Sequence, residues 1–143
     1  MKKAIWFDMD GTIADLYGEK NWLANLQAER EAPYANAKPL LNMQALARVL
    51  NRLAKQGYTV NVVSWLSKGG TKEYGERVAK AKREWLAKHL ASVKFDKIDI
   101  IEHGTPKEHG RNGILFDDEE NNRKHWHGIA YNVNNIIGIL KAL

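Results

Sequence analysis

The chain has 143 residues, a length that points to one domain able to bury about 70% of the surface its unfolded form would expose. It has no cysteine, which excludes disulfides, thiolate catalysis and Cys-ligated zinc, and no stretch nears the roughly 20 apolar residues of a membrane span. A formal net charge of +5 favours anionic partners, nucleotides and nucleic acid among them, against the plainer reading of a solvated lysine-bearing surface.

The chain starts with a basic Met1-Lys2-Lys3, but the apolar run behind it reaches Asp8 too early for a secretory leader, so a soluble cytoplasmic protein is expected. Residues 3–8 read as a buried parallel strand, and Gly11 as the point where the chain turns off its end. Residues 19–31 have helical character, with Trp22, Leu23 and Leu26 on one face; Pro33 and Pro39 then bracket a loop over 32–38. Together, residues 19–38 read as a short helical insertion. An amphipathic helix is predicted over 42–56, since Leu46, Val49, Leu50 and Leu53 recur at helical spacing and Gly57 follows. Residues 58–65, rich in β-branched and aromatic side chains, form the second strand. Thr71 is placed to cap a helix running to about residue 90, with Val78, Trp85 and Leu86 inward. A third strand over 98–101, a polar loop over 103–111, a fourth strand over 113–116, a short helix over 119–125, a fifth strand over 128–133 and a closing helix over 134–143 complete the chain. Strands alternating with helices predict a three-layer α/β/α sandwich around a parallel, five-stranded, Rossmann-like sheet, formed by residues 1–143 as one domain.

The first strand ends in Asp8 and Asp10, the fourth in Asp117 and Asp118. In a parallel sheet those ends share one edge, where ligands bind in open α/β folds. Carboxylates gathered there repel one another unless a cation or a shared proton relieves them, and a hard divalent ion taking oxygen ligands is the natural guest. Asp-x-Asp-Gly also opens calcium loops, but those carry further oxygen ligands at alternate positions, whereas Ile13 and Ala14 follow here.

With these residues in view, the chain resembles the haloacid dehalogenase superfamily of phosphohydrolases over nearly its whole length. Asp8-Met9-Asp10-Gly11-Thr12 is similar to the first motif of that family, Ser64 at the end of an apolar strand to the second, Lys107 before the fourth strand to the third, and Ile114-Leu115-Phe116-Asp117-Asp118 to the fourth. The resemblance implies a sheet with the first strand between the second and the fourth. It implies Asp8 as a nucleophile forming an aspartyl-phosphate, and Asp10 as the group that gives a proton to the leaving oxygen and later takes one from water. Asp10 also argues for phosphate esters, because members that cleave carbon–halogen bonds lack it. Ser64 would donate to a phosphoryl oxygen and Lys107 would offset developing negative charge. Mg2+ would be held by Asp8, the Asp10 carbonyl, the phosphate and an acid of the fourth motif. Asp118 is favoured as the direct ligand, with Asp117 orienting a water or Lys107. Backbone N–H groups just after Asp8 would cradle the phosphate.

Plainer roles stand beside these: Asp117 and Asp118 as helix caps, Ser64 as a strand-end hydroxyl, Lys107 as a surface lysine with Lys94 or Lys97 in its place. His103, His109, His125 and His127 lack the spacing of a helical His pair and read as surface or capping residues rather than zinc ligands. Trp6 reads as core, and Trp65 as a candidate wall of the site. Asp117-Asp118 followed by Asn121, Asn122 and Trp126 resembles the small 5′-nucleotidase branch, in which the 19–38 insertion would be a reduced cap. Trp22 and Tyr34 are its candidate platforms for a base, unless Trp22 only packs the insertion onto the core. The expected substrate is a small phosphorylated molecule, a (deoxy)nucleotide 5′-phosphate. The open site keeps a nucleic-acid end phosphatase of the polynucleotide 3′-phosphatase kind as an alternative, and a non-catalytic module binding a phosphorylated ligand or a protein as a further one.

Overall fold

The computed structural model describes residues 3–143, so Met1 and Lys2 of the basic start lie outside the described residues. In chain order the elements are β1 (Lys3–Phe7), β2 (Ala14–Asp15), α1 (Trp22–Gln27), α2 (Ala32–Asn36), β3 (Lys38–Pro39), α3 (Met43–Lys55), β4 (Tyr58–Trp65), α4 (Lys72–His89), β5 (Lys97–Ile101), β6 (Ile114–Phe116), α5 (Glu120–His125), β7 (Ile129–Tyr131) and α6 (Ile136–Lys141). The main sheet has five parallel strands in the order β5-β4-β1-β6-β7. The first strand therefore sits in the middle, flanked by the second and fourth main strands. Phe7 lies opposite Val62 on one side and Phe116 on the other. At the sheet edge beyond those three residues lie Asp8, Ser64 and Asp117, at the carboxyl ends of β1, β4 and β6.

A strand buried on both faces needs a continuous apolar run, and β1 supplies it. Ile5 and Phe7 join Val60, Val62 and Phe116 in the larger core, while Trp6 points the other way, onto Val63, Leu115 and Trp126. The larger core is closed by Leu46, Val49, Leu50 and Leu53 of α3, by Trp85 and Leu86 of α4, and by Ile136 and Leu140 of α6. α3 starts where the Asn42 side chain accepts the Ala45 N–H at 3.1 Å and stops before Gly57, whose φ of +96° suits a residue without Cβ. Thr71 caps α4 in the same way, its hydroxyl accepting the Tyr74 N–H at 3.2 Å.

The insertion departs from expectation. The helix predicted over 19–31 is only Trp22–Gln27; the chain leaves it through Glu29 at φ +56°. The loop predicted over 32–38 instead contains a helical turn, Ala32–Asn36. Pro33 sits in its first turn, where a missing N–H costs nothing, so the proline begins this helix rather than excluding one. β2 and β3 pair antiparallel, Ala14 opposite Pro39, and tie the two ends of the insertion together; two-residue strands leave no periodicity to read. The closing helix also starts late: Val133–Asn135 is a 3₁₀ turn before α6. The insertion docks on α4 through Leu16, Trp22, Leu26 and Tyr34 against Tyr74, Val78 and Ala81. Polar contacts add to this, since Glu29 accepts from the Thr71 N–H at 2.9 Å and the Thr71 hydroxyl at 2.8 Å. No helix among the described residues is long and apolar enough to cross a membrane.

Candidate active site

At the end of β1 the Asp8 N–H donates to Phe116 O at 3.0 Å, which carries the pairing with β6 one residue past the strand. The chain then curls: the amides of Thr12, Ile13 and Ala14 all converge on Met9 O at 3.0 Å, and Gly11 N–H donates to Ala14 O at 2.9 Å. Gly11 has φ +80°, and a Cβ there would collide with the Asp118 carboxylate. Gly11→Ala is therefore expected to cost about 1–2 kcal/mol from the left-handed backbone alone, read as a melting temperature lower by about 5 °C.

The curl brings side chains from β1 and β6 together. Asp8, Asp117 and Asp118 each offer a carboxylate oxygen, and the three atoms lie within 4.8 Å of one another. The Thr12 hydroxyl stands 3.0 Å from Asp8 Oδ2 and 3.2 Å from Asp118 Oδ1, one proton between two carboxylates. Lys107, 2% exposed on the loop before β6, places its Nζ 2.8 Å from Asp8 Oδ1 and 2.9 Å from Asp117 Oδ2. Asp117 is fully buried and held on both oxygens: Oδ1 accepts the Glu119 N–H at 2.9 Å, and Oδ2 accepts from Asn122 Nδ2 at 3.2 Å as well as from Lys107. Asp118 is only half-buried.

The charges are unevenly matched. Burial, then the neighbouring Asp8, push the Asp118 carboxyl up to about 8, and the same two causes push Asp117 up to about 6. Asp10 is also raised, by burial first, with Lys82 opposing. Burial works against the Lys107 ammonium, but the Asp8 and Asp117 carboxylates outweigh it and hold its pKa above the ordinary lysine value.

On the other side of β1, Ser64 is fully buried at the end of β4 and Asp10 faces it across the curl. A second lysine joins them. Lys82 of α4, 1% exposed, donates to Asp10 Oδ2 at 2.8 Å, Ser64 Oγ at 2.7 Å and Trp65 O at 2.6 Å. Sequence reasoning missed both Lys82 and Thr12. Lys82 did leave a signal, a charge on the helix face formed by Val78, Ala81, Trp85 and Leu86, where a solvated lysine has no place. Thr12 lay inside the first motif and received no role of its own.

A cleft of about 350 Å³ has Asp8, Asp10 and Lys107 on its floor and Tyr17, Trp22, Trp65, Leu66 and His103 in its walls. Trp65 walls the site directly, with the Lys107 ammonium 5.0 Å from its ring centre. Trp22 packs with the insertion cluster and also lines the cleft, edge-on to Tyr17 at 4.9 Å. Tyr34 is 5% exposed and its ring takes the Lys82 ammonium at 4.9 Å, which makes it a poor platform for a base. His103 lies against Trp65, with ring centres 4.9 Å apart, and His125 Nδ1 is 2.8 Å from Asn121 O; His109 and His127 are exposed.

No family model and no curated protein matches the chain. Solved structures do. D,D-heptose 1,7-bisphosphate phosphatase from Burkholderia thailandensis superposes with a TM-score of 0.55 at 13% identity, over 99% of this chain and 97% of that one. D,D-heptose 1,7-bisphosphate phosphatase from B. bronchiseptica, complexed with magnesium and phosphate, gives 0.51 at 15% identity over 82% of this chain and 70% of that one. The chain shares with them the parallel α/β fold.

Proposed function

We propose that this chain is a magnesium-dependent phosphomonoester hydrolase that works through an aspartyl-phosphate on Asp8. The observation that carries the reading is the meeting of the buried Asp8 and Asp117 with the half-buried Asp118, with Lys107 bridging Asp8 and Asp117. The donor set is all oxygen and anionic, and two of its carboxyls sit above their ordinary range. That is the chemistry a hard dication relieves. Asp8 and Asp118, with the Asp10 carbonyl, would hold Mg2+, which when bound would offset charge on the phosphoryl oxygens. Asp117 has its oxygens committed to Lys107, Asn122 and the Glu119 amide, which favours the orienting role for it and the ligand role for the half-buried Asp118.

The remaining steps belong to the side chains. Lys107 and Thr12 fix the Asp8 carboxylate so that an oxygen can attack phosphorus in line with the leaving group. Phosphorus gains a bond to Asp8 and loses its bond to the ester oxygen, which takes a proton from Asp10. Asp10 then takes a proton from the water that releases phosphate and restores Asp8. Ser64 donates to a phosphoryl oxygen. The amides of residues 11–14 are spent inside the curl, so an amide cradle would come from Met9 and Asp10.

For the leaving group, the aromatic walls Tyr17, Trp22 and Trp65 favour the planar base of a (deoxy)nucleotide 5′-phosphate. The test is a panel of nucleoside 5′-monophosphates, 3′- and 5′-phosphorylated oligonucleotides and a sugar bisphosphate, the class named for the structural neighbours. The mononucleotides are expected to lead in kcat/KM by about tenfold or more. Oligonucleotides turning over faster would instead favour a nucleic-acid end phosphatase, and the sugar bisphosphate leading would remove the base from the account.

Metal binding has a separate check. Asp118 is raised, so between the ordinary carboxylate pKa of about 4 and its own value the folded protein binds protons that the unfolded chain releases; metal-free stability therefore falls as pH rises through that window. Magnesium must displace those protons. It is expected to raise the melting temperature more at about pH 8 than at about pH 5. Asp118→Asn should abolish the magnesium shift and raise the metal-free melting temperature at about pH 8 by about 2–4 °C. A magnesium shift that persists in Asp118→Asn would take Asp118 out of the ligand set.

A further inference from the structure

Among the described residues, Lys82 is the one buried charge that the proposed reaction does not use. It projects from the middle of α4, whose backbone is fixed by the buried Tyr74, Val78, Trp85 and Leu86 around it. A fully buried lysine is rare and costly unless its charge is matched. An ammonium has three N–H donors and no acceptor. Here all three are spent, on Asp10 Oδ2, Ser64 Oγ and Trp65 O. Each contact restricts its acceptor. Because Lys82 can only donate, Ser64 Oγ must accept, and the hydroxyl's own proton has to point elsewhere. The Ser64 side chain makes no other hydrogen bond among the described residues, so that proton is committed to no other protein group. Asp10 is held by one oxygen, while its carboxyl keeps an 18% exposed face on the cleft.

We propose that Lys82 is a positioning residue that acts through Asp10 and Ser64, holding the Asp10 carboxyl on the leaving-group side of the cleft and turning the Ser64 proton toward the phosphoryl group. The inference rests on the hydrolase reading, in which Asp10 moves the proton and Ser64 binds a phosphoryl oxygen. Trp65 O, the third acceptor, anchors the ammonium to the end of β4, so the three contacts form a tripod between the central sheet and α4. The Tyr34 ring, 4.9 Å from the ammonium, closes it off from the insertion side.

A residue that only cements α4 to the sheet would, when replaced, slow every substrate alike. A residue that positions Asp10 would not. An alkoxide leaving group needs a proton from Asp10, whereas a nitrophenolate does not. The experiment compares kcat/KM for p-nitrophenyl phosphate and a nucleoside 5′-monophosphate, with magnesium, in the wild type, Lys82→Met, Asp10→Asn, Ser64→Ala and the Lys82→Met/Asp10→Asn double variant. Lys82→Met is expected to reduce the nucleotide rate by about 10²-fold or more and to lower the nucleotide-to-aryl ratio by about tenfold. In the Asp10→Asn background the same substitution should cost only the part carried by Ser64, about tenfold on either substrate, and leave their ratio unchanged. Ser64→Ala should lower both substrates together and leave their ratio unchanged. Lys82→Gln, which keeps donor hydrogens without the charge, takes the place of Lys82→Met if the latter melts below the assay temperature. Equal losses on the two substrates in Lys82→Met alone, or its full loss added on top of Asp10→Asn, would overturn the proposal. Failure of the underlying hydrolase reading looks different: turnover would survive Asp8→Asn whatever stands at position 82.

Discussion

Asp8→Asn is expected to lower kcat/KM for any phosphomonoester by at least about 10⁴-fold, the scale on which losing a nucleophile removes a route rather than slowing it. The substitution keeps the shape of the side chain. Its carbonyl oxygen can still accept from Lys107, and Asp117 continues to accept from the same ammonium at 2.9 Å. The loss of one negative charge also relieves Asp117 and Asp118, both of which are raised in part by Asp8. The variant should therefore fold as well as the wild type, with a melting temperature that does not fall, while its turnover disappears. Thermal melts beside phosphate-release assays check the pair of outcomes. Activity lost together with stability would mean that Asp8 serves the fold, and activity retained would remove it as nucleophile.

Lys107→Met is expected to fail on both counts. Lys107 is the cation that two buried carboxylates share, and taking one partner from a buried ion pair costs about 3–5 kcal/mol because the other charge is left unmatched. A fall of about 10 °C in melting temperature follows for a chain of this size. The pH dependence gives the sign. In the wild type Lys107 sits above the ordinary lysine pKa, so its contribution is complete below about 10.4 and fades only as pH climbs through its own higher value. In Lys107→Met, Asp117 loses the charge that opposes its rise and moves further up. The folded variant then holds protons that the unfolded chain gives away, and its stability falls as pH rises from about 5 to 8. A variant as stable as wild type, with a flat pH profile, would show that the lysine is not matched to these carboxylates. The activity loss, about 10³-fold, reports the missing charge beside the attacking oxygen.

The parts legible in the sequence were those where one strong pattern had no competitor. β1 is an apolar run too short for a helix and closed by Asp8 and Gly11. α3 carries four apolar residues at helical spacing between Asn42 and Gly57. The convergence of Asp8 with Asp117 and Asp118 followed from topology, since neighbouring parallel strands end on the same edge. The insertion was misread because Pro33 carries two meanings: it ends helices from inside and begins them from the first turn, and the residues around it do not decide which. β2 and β3 rest on a pairing between residues 14–15 and 38–39, which no local pattern encodes. Lys82 escaped because a lysine on a helix is ordinarily solvated. Only the apolar identity of Val78, Ala81, Trp85 and Leu86 marked its face as the buried one, and the acceptors that make its burial tolerable come from β4 and from the curl after β1.

The central claim is that Asp8 becomes covalently phosphorylated, and rapid-quench transfer of a radiolabelled phosphoryl group from substrate to protein tests it most directly. With magnesium present, label is expected on the peptide holding Asp8 before free phosphate accumulates, and it should be absent in Asp8→Asn. Free phosphate appearing while the Asp8 peptide stays unlabelled, or label transferred equally well to Asp8→Asn, would contradict the account.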